Sequence, residues 1–334
     1  MSTMSEDIDT RKAPPKYEEH EHVLAGWRFT ALIVTVIISV IGYFLFSLWG
    51  GWDKVVDGFT QIGFYGAGIS ILIACISYLF RFARWNYFLH TLGHYVPWLN
   101  SLRIYISGFS LTTTPGKAGE ALRSIFLIDY GIAYRRSFGA LLAERLSDFL
   151  AVVMLAMGGL LVHPSARPIV ILSALFVVAI LYIVQQDHWL KAIENWTNKK
   201  LQNRFAHVVE FFIETILAFR DCFKTHVLLY GTLLGSIAWG LEGIILYLVL
   251  HLLGAEISIY TAIFIHAFSL LVGAITLLPG GLGGAEVTMY ELLIFNDVPT
   301  SVAVTATLVV RLCTLWFSVL LGLLFLPKKQ IKLS

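Results

Sequence analysis

The sequence predicts an all-α polytopic membrane protein, with about six full spans and two re-entrant helical hairpins in an inverted repeat. Long apolar runs, two Pro-Gly interruptions at membrane depth and a charge pattern that recurs in both halves support this prediction. Of the 334 residues, 57% are hydrophobic and 14% are charged, whereas a soluble domain carries about 25% charged residues. Lys and Arg outnumber Asp and Glu by only 24 to 22, so the chain lacks the positive field of a nucleic-acid-binding protein.

Six apolar runs approach the ~20 residues that a helix needs to cross the hydrocarbon core of a bilayer. They cover residues 29–49, 63–80, 137–162, 169–184, 226–253 and 298–326. The polar segments 1–25 and 327–334 are predicted to be cytosolic tails, which leaves 26–326 as a single transmembrane domain. The N-terminal segment does not have the short apolar core and cleavage site of a signal peptide.

Two further apolar stretches are interrupted by Pro-Gly sequences and do not fit simple spans. Residues 104–114 lead into the first interruption and residues 257–278 into the second, and short second arms follow over 121–128 and 287–295. Pro removes a backbone donor, and irregular backbone at membrane depth needs protein or a water-filled cavity around it. We therefore expect two re-entrant hairpins, and ordinary paired spans with tight turns at the membrane surface are the alternative. The expected hinge residues at the tips are Pro115, Gly116, Pro279, Gly280, Gly281 and Gly283.

The distribution of basic residues predicts the orientation of the chain. Lys and Arg concentrate after the second span, after the first hairpin, in the polar interval between the halves and near the C-terminus. They are Arg81, Arg84, Arg103, Arg135, Arg136, Lys191, Lys199, Lys200, Arg204, Lys328, Lys329 and Lys332. Both termini are therefore predicted to be cytoplasmic, in a multi-pass protein of the cell (inner or plasma) membrane.

The polar interval, about 187–224, is predicted to be an amphipathic helix. Its apolar residues from Trp189 to Ile216 recur at three-to-five spacing, with Lys and Glu between them. Such a helix either lies on the cytoplasmic leaflet, with its basic residues toward anionic head groups, or packs as a strut against the helix bundle. The sequence leaves both interpretations open.

The two halves resemble each other in the placement of their charges. From Glu120 to Arg145 is 25 residues, from Glu286 to Arg311 is also 25, and each Glu follows a Pro-Gly tip. Upstream, the dipeptide Leu-His occurs at 89–90 and again at 250–251. These matches indicate an internal duplication.

The duplication defines repeat one at about 63–162 and repeat two at about 226–326. The additional crossing at 169–184 inverts the second repeat, so hairpin one enters from the cytoplasm and hairpin two from outside. Inverted repeats with broken helices are the architecture of secondary transporters, whose substrates bind where the half-helices meet.

Ionisable residues follow both tips and recur inside the spans, where they are costly unless they are paired or face water. Arg311 lies near the centre of its span, and Glu286 is its expected partner. Glu242 is a lone acid inside another span. The candidate substrate-binding residues are Lys117, Glu120, Arg123, Glu144, Arg145, Asp148, Glu286 and Arg311. They indicate a polar cavity for an anionic group such as a lipid phosphate, or else buried ion pairs that fix the helix register.

The sequence also bears on catalysis and metal binding. The sequence has no zinc-protease motif, no nucleophile elbow, no phosphate-binding loop and no dinucleotide fingerprint. His90 and His94 have the i, i+4 spacing of metal ligands, but no third ligand follows at a suitable distance. We therefore expect neither an enzyme nor a metal or other cofactor.

Three motifs resemble the lysylphosphatidylglycerol synthase transmembrane-domain family. They are TTTPGKAGEALR (Thr112 to Arg123), AERLSD (Ala143 to Asp148) and LLPGGLGGAE (Leu277 to Glu286). The family includes the flippase half of the multiple peptide resistance factor, so the resemblance implies re-entrant hairpins and a lipid-translocating role. Only eight residues follow Leu326, so we expect a stand-alone translocase without the cytosolic aminoacyl-transferase domain.

Together these observations predict a flippase-like protein that moves a phosphate-bearing amphipathic lipid between leaflets. A non-transporting membrane partner or regulator of a lipid or glycolipid biosynthesis enzyme is the alternative, and a membrane-embedded transferase ranks third. The expected partners are a membrane lipid as substrate, a lipid-synthesis enzyme and a second copy of the chain, with no nucleic acid.

Overall fold

The computed structural model describes residues 27–113, 120–160, 164–186, 204–276 and 278–326. Within these ranges every regular element is helical and no strand occurs. The helices are α1 (Trp27–Trp49), α2 (Trp52–Thr91), α3 (Trp98–Ser107), α4 (Leu122–Ile128), α5 (Tyr134–Met157), α6 (Arg167–Gln185), α7 (Arg204–Asp221), α8 (Thr225–Leu252), α9 (Ile259–Ile275), α10 (Gly284–Phe295), α11 (Thr300–Arg311) and α12 (Phe317–Leu324). A π-helical turn, Leu312–Trp316, joins α11 to α12 without a break.

Four helices of the described chain are long and apolar enough to cross a membrane. They are α2, α6 with the 3-10 turn before it, α8, and the continuous helix formed by α11 and α12. The predicted span at 137–162 corresponds to α5, which has 24 residues but carries buried charges. The chain is therefore an all-helical membrane protein, and the number of six full spans stays a prediction.

Helix α2 is longer than the sequence predicted. It runs for 40 residues, with a kink at Gly63 where φ is 58°, and it continues past Phe80 to Thr91. The assignment of Arg81 and Arg84 to the basic flank of the second span is therefore wrong. Both lie inside the helix, and Arg84 is fully buried, because carboxylates of other helices are close enough to compensate its charge.

Helices α2 and α8 pack against each other in antiparallel directions. Near the start of α2, the Gln61 side chain donates to the backbone oxygen of Leu252 at the end of α8 (2.9 Å). Near the end of α2, Phe88 lies against Gly231, where a Cβ atom would come within 2.9 Å of the Phe88 ring. Residues early in one helix therefore meet residues late in the other.

The chain turns that follow α2 and α8 are copies of each other. Gly93 and Gly254 adopt φ angles of 80° and 77°, a left-handed conformation that glycine adopts without steric cost and that commonly ends helices. The backbone bonds are also matched: Gly93 N to His90 O and His94 N to Leu89 O in one turn, Gly254 N to His251 O and Ala255 N to Leu250 O in the other. The structure thus repeats the Leu-His match found in the sequence.

The turns after α4 and α10 form a second matched pair. They are equivalent in the alignment that places Glu120 on Glu286. Gly131 and Asp297 occupy equivalent positions with φ angles of 75° and 61°. The amides one residue later, in Ile132 and Val298, bond to equivalent carbonyls of the preceding helices. Both pairs of turns agree with the internal duplication, which stays a prediction.

The described part of the connector between the halves packs against α5. Arg135 forms an ion pair with Glu214 (2.8 Å), and Thr215 donates to the backbone oxygen of Arg135 (3.3 Å). Gly139 of α5 leaves room for the backbone of α7, because a Cβ there would lie 2.6 Å from the Thr215 oxygen. For 204–221 the strut interpretation holds, while 187–203 lie outside the described residues.

Candidate functional site

The first charge cluster is centred on Arg123, which is 1% exposed. Its guanidinium bonds to Glu120 (2.7 Å) and to Glu144 (2.8 Å), and lies 4.2 Å from the centre of the Tyr105 ring. Tyr105 in turn donates to Glu144 (3.2 Å). These contacts hold α4 to α3 and α5 and fix Arg123 in place.

Arg145 extends the same cluster toward the interior of the protein. Its Nη2 atom lies 3.2 to 3.3 Å from carboxylate oxygens of Glu120, Glu144 and Asp148. About a quarter of its side chain is exposed (25%), which is far more than for Arg123. Arg145 is therefore the guanidinium of this cluster that a ligand can reach.

Arg84 is a member of the cluster that was not predicted from the sequence. Its guanidinium contacts Asp148 at 2.5 Å and Glu144 at 3.7 Å, so α2 supplies a third cation to the carboxylates of α5. The signal available in the sequence was the position of Arg84 inside a largely apolar segment, 69–92, that contains no glycine or proline to end a helix.

The second cluster is simpler and is built around one Glu–Arg pair. Arg311 Nε lies 2.6 Å from Glu286 Oε1, which confirms the expected pairing. Arg311 also donates to the backbone oxygen of Gly280 in the second tip (2.9 Å). Glu286 accepts two more bonds, from the Tyr43 hydroxyl (3.0 Å) and the Gly283 amide (2.8 Å). This pair ties α11 to the tip and to α1.

The two clusters share one equivalent ion pair. Glu120 and Arg145 of the first half contact at 3.3 Å, across the same 25-residue separation as Glu286 and Arg311. The first half adds three ionisable residues that the second half does not have. At the positions equivalent to Arg123, Glu144 and Asp148 the second half has Met289, Val310 and Thr314.

Arg81 and Glu242 form a third ion pair between the two halves. The guanidinium of Arg81 stacks on Trp239, 3.7 Å from the ring centre, and the Trp239 indole N–H donates to Asp148 (2.8 Å). Arg81 and Glu242 are 161 residues apart, the separation between the matched turns after α2 and α8. Glu242 is therefore not the lone acid that its own helix suggested, because its partner lies at the equivalent position of the other repeat.

A cavity of about 300 Å³ lies where these three pairs converge. Arg81, Arg145 and Arg311 line it, together with Asp148 and Glu242. The turn that leads into the first tip reaches it through Thr112, and the second tip reaches it through Gly280 and Gly281. Much of the remaining wall is apolar, with Phe149, Val152, Leu270, Leu271, Leu278 and Leu315.

Comparison with known proteins gives the same family as the motifs. The family model of the lysylphosphatidylglycerol synthase TM region matches residues 30–322. The chain belongs to this family. It is 26% identical to a UPF0104 membrane protein of Pyrococcus horikoshii, over 90% of this chain and 98% of that protein. A UPF0104 membrane protein of Methanothermobacter thermautotrophicus is 24% identical over 89% of this chain and 91% of its own length.

The family match includes both charge clusters and the cavity. Of the predicted binding residues of this family member, Arg145, Asp148 and Arg311 line the cavity. The remaining four described residues are buried behind it, where they hold the cavity arginines and each other. They are Glu120, Arg123, Glu144 and Glu286. Their role in binding a substrate stays a prediction.

The two predicted tips differ in how much of them the structure describes. Pro279–Gly281 forms a short 3-10 turn, and Gly280 and Gly283 have φ angles of 62° and 84°, so the second tip uses backbone conformations that favour glycine. Lys117 and the hinge residues Pro115 and Gly116 lie outside the described residues.

Proposed function

We propose that this protein is a lipid translocase that moves a phosphate-bearing lipid between the leaflets of the cell membrane. One observation carries the proposal: the cavity beside the second tip, lined by Arg81, Arg145 and Arg311. A guanidinium presents several N–H donors in a plane that matches the oxygens of a phosphate. The largely apolar wall suits the glycerol and acyl portions of a lipid.

The carboxylates beside the arginines support a binding site that can exchange partners. Each of the three cavity arginines has at least one carboxylate within 4 Å, so the cavity carries paired charges. A phosphate that enters competes with those carboxylates for the guanidinium groups. Binding and release then require a change of partner at these groups.

The packing of the repeats supports hairpins that enter from opposite sides of the membrane. Helices α2 and α8 are equivalent and antiparallel, so the helices that follow them, α3 and α9, begin at opposite ends of the bundle. Helix α3 has 10 residues and α9 has 17, about 15 and 26 Å at 1.5 Å per residue. Both are shorter than the ~30 Å hydrocarbon core. Thr112, in the turn that follows α3, and Gly280, in the tip that follows α9, both line the cavity.

In this mechanism the two hairpins rock alternately and open the cavity to one leaflet and then to the other. The proposed orientation has both termini in the cytoplasm. The partner is the transported lipid, supplied by a separate lipid-synthesis enzyme, and the mechanism contains no chemical step.

The test is a leaflet-flip assay in proteoliposomes with fluorescent anionic, zwitterionic and aminoacylated lipids. The assay compares the wild-type protein with Arg311→Ala and Glu286→Gln. Arg103→Ala is the matched control, because Arg103 is exposed in the middle of α3 and does not line the cavity. We expect the wild-type protein and the control to move a phosphate-bearing class, and the Arg311 and Glu286 variants to lose that movement.

Failure of the folded wild-type protein to move any lipid class would contradict the translocase. Co-purification with a lipid-synthesis enzyme would then support the non-transporting partner instead. Equal transport by Arg311→Ala and Arg103→Ala would place the pathway elsewhere in the protein.

A further inference from the structure

The charges around the cavity are balanced within the described part of the chain. Five arginines and five carboxylates form the three clusters, and each guanidinium lies within 4 Å of at least one carboxylate. The arginines are Arg81, Arg84, Arg123, Arg145 and Arg311, and the acids are Glu120, Glu144, Asp148, Glu242 and Glu286. An anion that takes an arginine from this set leaves a buried carboxylate without its cation, which is strongly unfavourable.

Glu242 is the carboxylate with a neighbour that can supply a new positive charge. His266 of α9 is 1% exposed, and its Nε2 atom lies 3.4 Å from Glu242 Oε2. Neither ring nitrogen of His266 makes a hydrogen bond to any described residue. Histidine is the side chain whose charge changes most readily near neutral pH, and a protonated His266 would pair directly with Glu242.

The other groups around Glu242 and His266 already have partners of their own. From α2, Arg81 and Ser77 bond to Glu242, and the nearby Tyr78 hydroxyl donates to the Thr314 carbonyl (2.5 Å). The remaining charged groups near the cavity are Asp148, Glu144 and Arg145 of α5, Arg84 of α2, and Glu286 with Arg311 across the cavity. Among the described residues of α9, His266 is the histidine that faces these charged groups.

We propose that His266 and Glu242 form a proton site that couples lipid transport to proton movement. An anionic head group binds Arg81 and displaces Glu242. The released carboxylate then pairs with His266, which takes up one proton on a ring nitrogen. When the head group leaves, Arg81 returns to Glu242 and His266 releases the proton.

The coupling follows from electrostatics. Proton uptake on binding does not depend on the proposed lipid transport, and only the movement of the proton across the membrane rests on it. One monoanionic head group and one proton enter together, so the net charge of the cavity stays unchanged. Uncompensated charge inside the hydrocarbon core is costly, and this exchange avoids it. The driving force for an anionic lipid is then a proton gradient.

Proton uptake can be measured on binding alone, with the full-length protein in detergent. Isothermal titration calorimetry with short-chain dihexanoyl phosphatidylglycerol is performed at one pH above 7, in two buffers with different enthalpies of ionisation. We expect uptake of about one proton per bound head group. His266→Gln should lose the proton uptake, because glutamine cannot take a charge.

His251→Gln is the matched control, since His251 is exposed near the end of α8, and it should keep the wild-type proton uptake. Binding of the head group by the wild-type protein without proton uptake would overturn the proposal, as would no binding at all. The wild-type titration decides the question even if His266→Gln fails to fold.

A second arm separates this proposal from the proposed function. In proteoliposomes, an imposed pH gradient should drive net movement of fluorescent phosphatidylglycerol by the wild-type protein, and His266→Gln should lose the gradient dependence. Transport that ignores the gradient would refute the coupling and leave the translocase intact. Proton-linked binding without any lipid movement would refute the translocase and leave the proton site intact.

Discussion

Arg311 is a charged residue in the middle of an apolar helix, and its environment explains how the protein accommodates it. A central arginine costs about 2.5–3.5 kcal/mol on membrane-insertion scales. Here its charge is compensated by Glu286, and a further N–H donates to the Gly280 carbonyl. Glu286 also accepts from Tyr43 and Gly283. The pair therefore fixes the second tip and lines the cavity at the same time.

Removal of one charge of this pair should destabilise the protein more than removal of both charges. Arg311→Met leaves a buried carboxylate without its cation, which costs about 3–5 kcal/mol. Arg311→Met with Glu286→Gln should recover most of that loss, because the Gln side chain is neutral: its amide oxygen can accept from the Gly283 amide, and its NH2 group can donate to the Tyr43 hydroxyl oxygen. The midpoint of thermal unfolding in detergent measures both effects.

The matched control for this comparison is Arg103→Met, which removes an exposed guanidinium and should melt with the wild-type protein. If the double variant melts no higher than Arg311→Met, charge compensation by Glu286 does not explain the stability of this site.

At the level of elements, α12 closely approaches the 3-10 turn Gly108–Leu111, which leads toward the first tip. Gly322 of α12 lies against the backbone of Phe109 and Ser110, and a Cβ at position 322 would come within 2.7 Å of the Phe109 carbonyl carbon. The last helix of the second half therefore supports the segment that precedes the first tip.

Gly322→Ala should push the 3-10 turn away from α12, because the contact is with backbone and not with a flexible side chain. We expect overpacking to cost about 1–3 kcal/mol, together with reduced lipid flipping. Gly240→Ala is the matched control: Gly240 lies within α8, and no atom is within 4 Å of its added Cβ. Unfolding midpoints and flip rates of both variants check this expectation.

A Gly322→Ala protein with wild-type stability and flip rate would show that this helix contact does not constrain the first tip. A Gly240→Ala protein that also loses stability would show that alanine in the spans is harmful in general, and the comparison would then carry no information about the tip.

At the level of the whole molecule, the antiparallel packing of α2 and α8 agrees with the predicted inversion of the two halves. The equivalent turns after these helices lie at opposite ends of the pair. Tyr95 follows the first turn and Glu256 follows the second, and both side chains are exposed. In a membrane, these two residues should be accessible from opposite sides.

Cysteine labelling tests this arrangement in a protein whose native Cys75, Cys222 and Cys313 are replaced by alanine. A membrane-impermeant maleimide should label Tyr95→Cys from the cytoplasmic side and Glu256→Cys from the opposite side. Inside-out and right-side-out vesicles provide the two directions. The cysteine-free protein is the control for background labelling.

Labelling of both positions from one side would rule out the inversion, and with it the alternating hairpins of the proposed mechanism. Labelling from opposite sides in the reverse sense would keep the inverted repeat and reverse the predicted orientation of the termini.

The sequence alone determined the class of the protein and the Glu286–Arg311 pair, and it predicts an internal duplication. These features depend on local patterns: the length of apolar runs against the thickness of a bilayer, the Pro-Gly tips, and a charge spacing that recurs within each half. The family motifs lie in the same segments, so they could be recognised without any tertiary contact.

Tertiary structure decided which cations and acids meet. Arg81 and Arg84 looked like flanking charges of a span, yet they pair with Glu242 and with Asp148 in the interior. No pattern in the apolar sequence of α9 indicated a role for His266. Its position became significant only because the fold places Glu242 of α8 beside it. Such pairs join helices that are distant in sequence, so helix packing creates them and periodicity within one segment cannot indicate them.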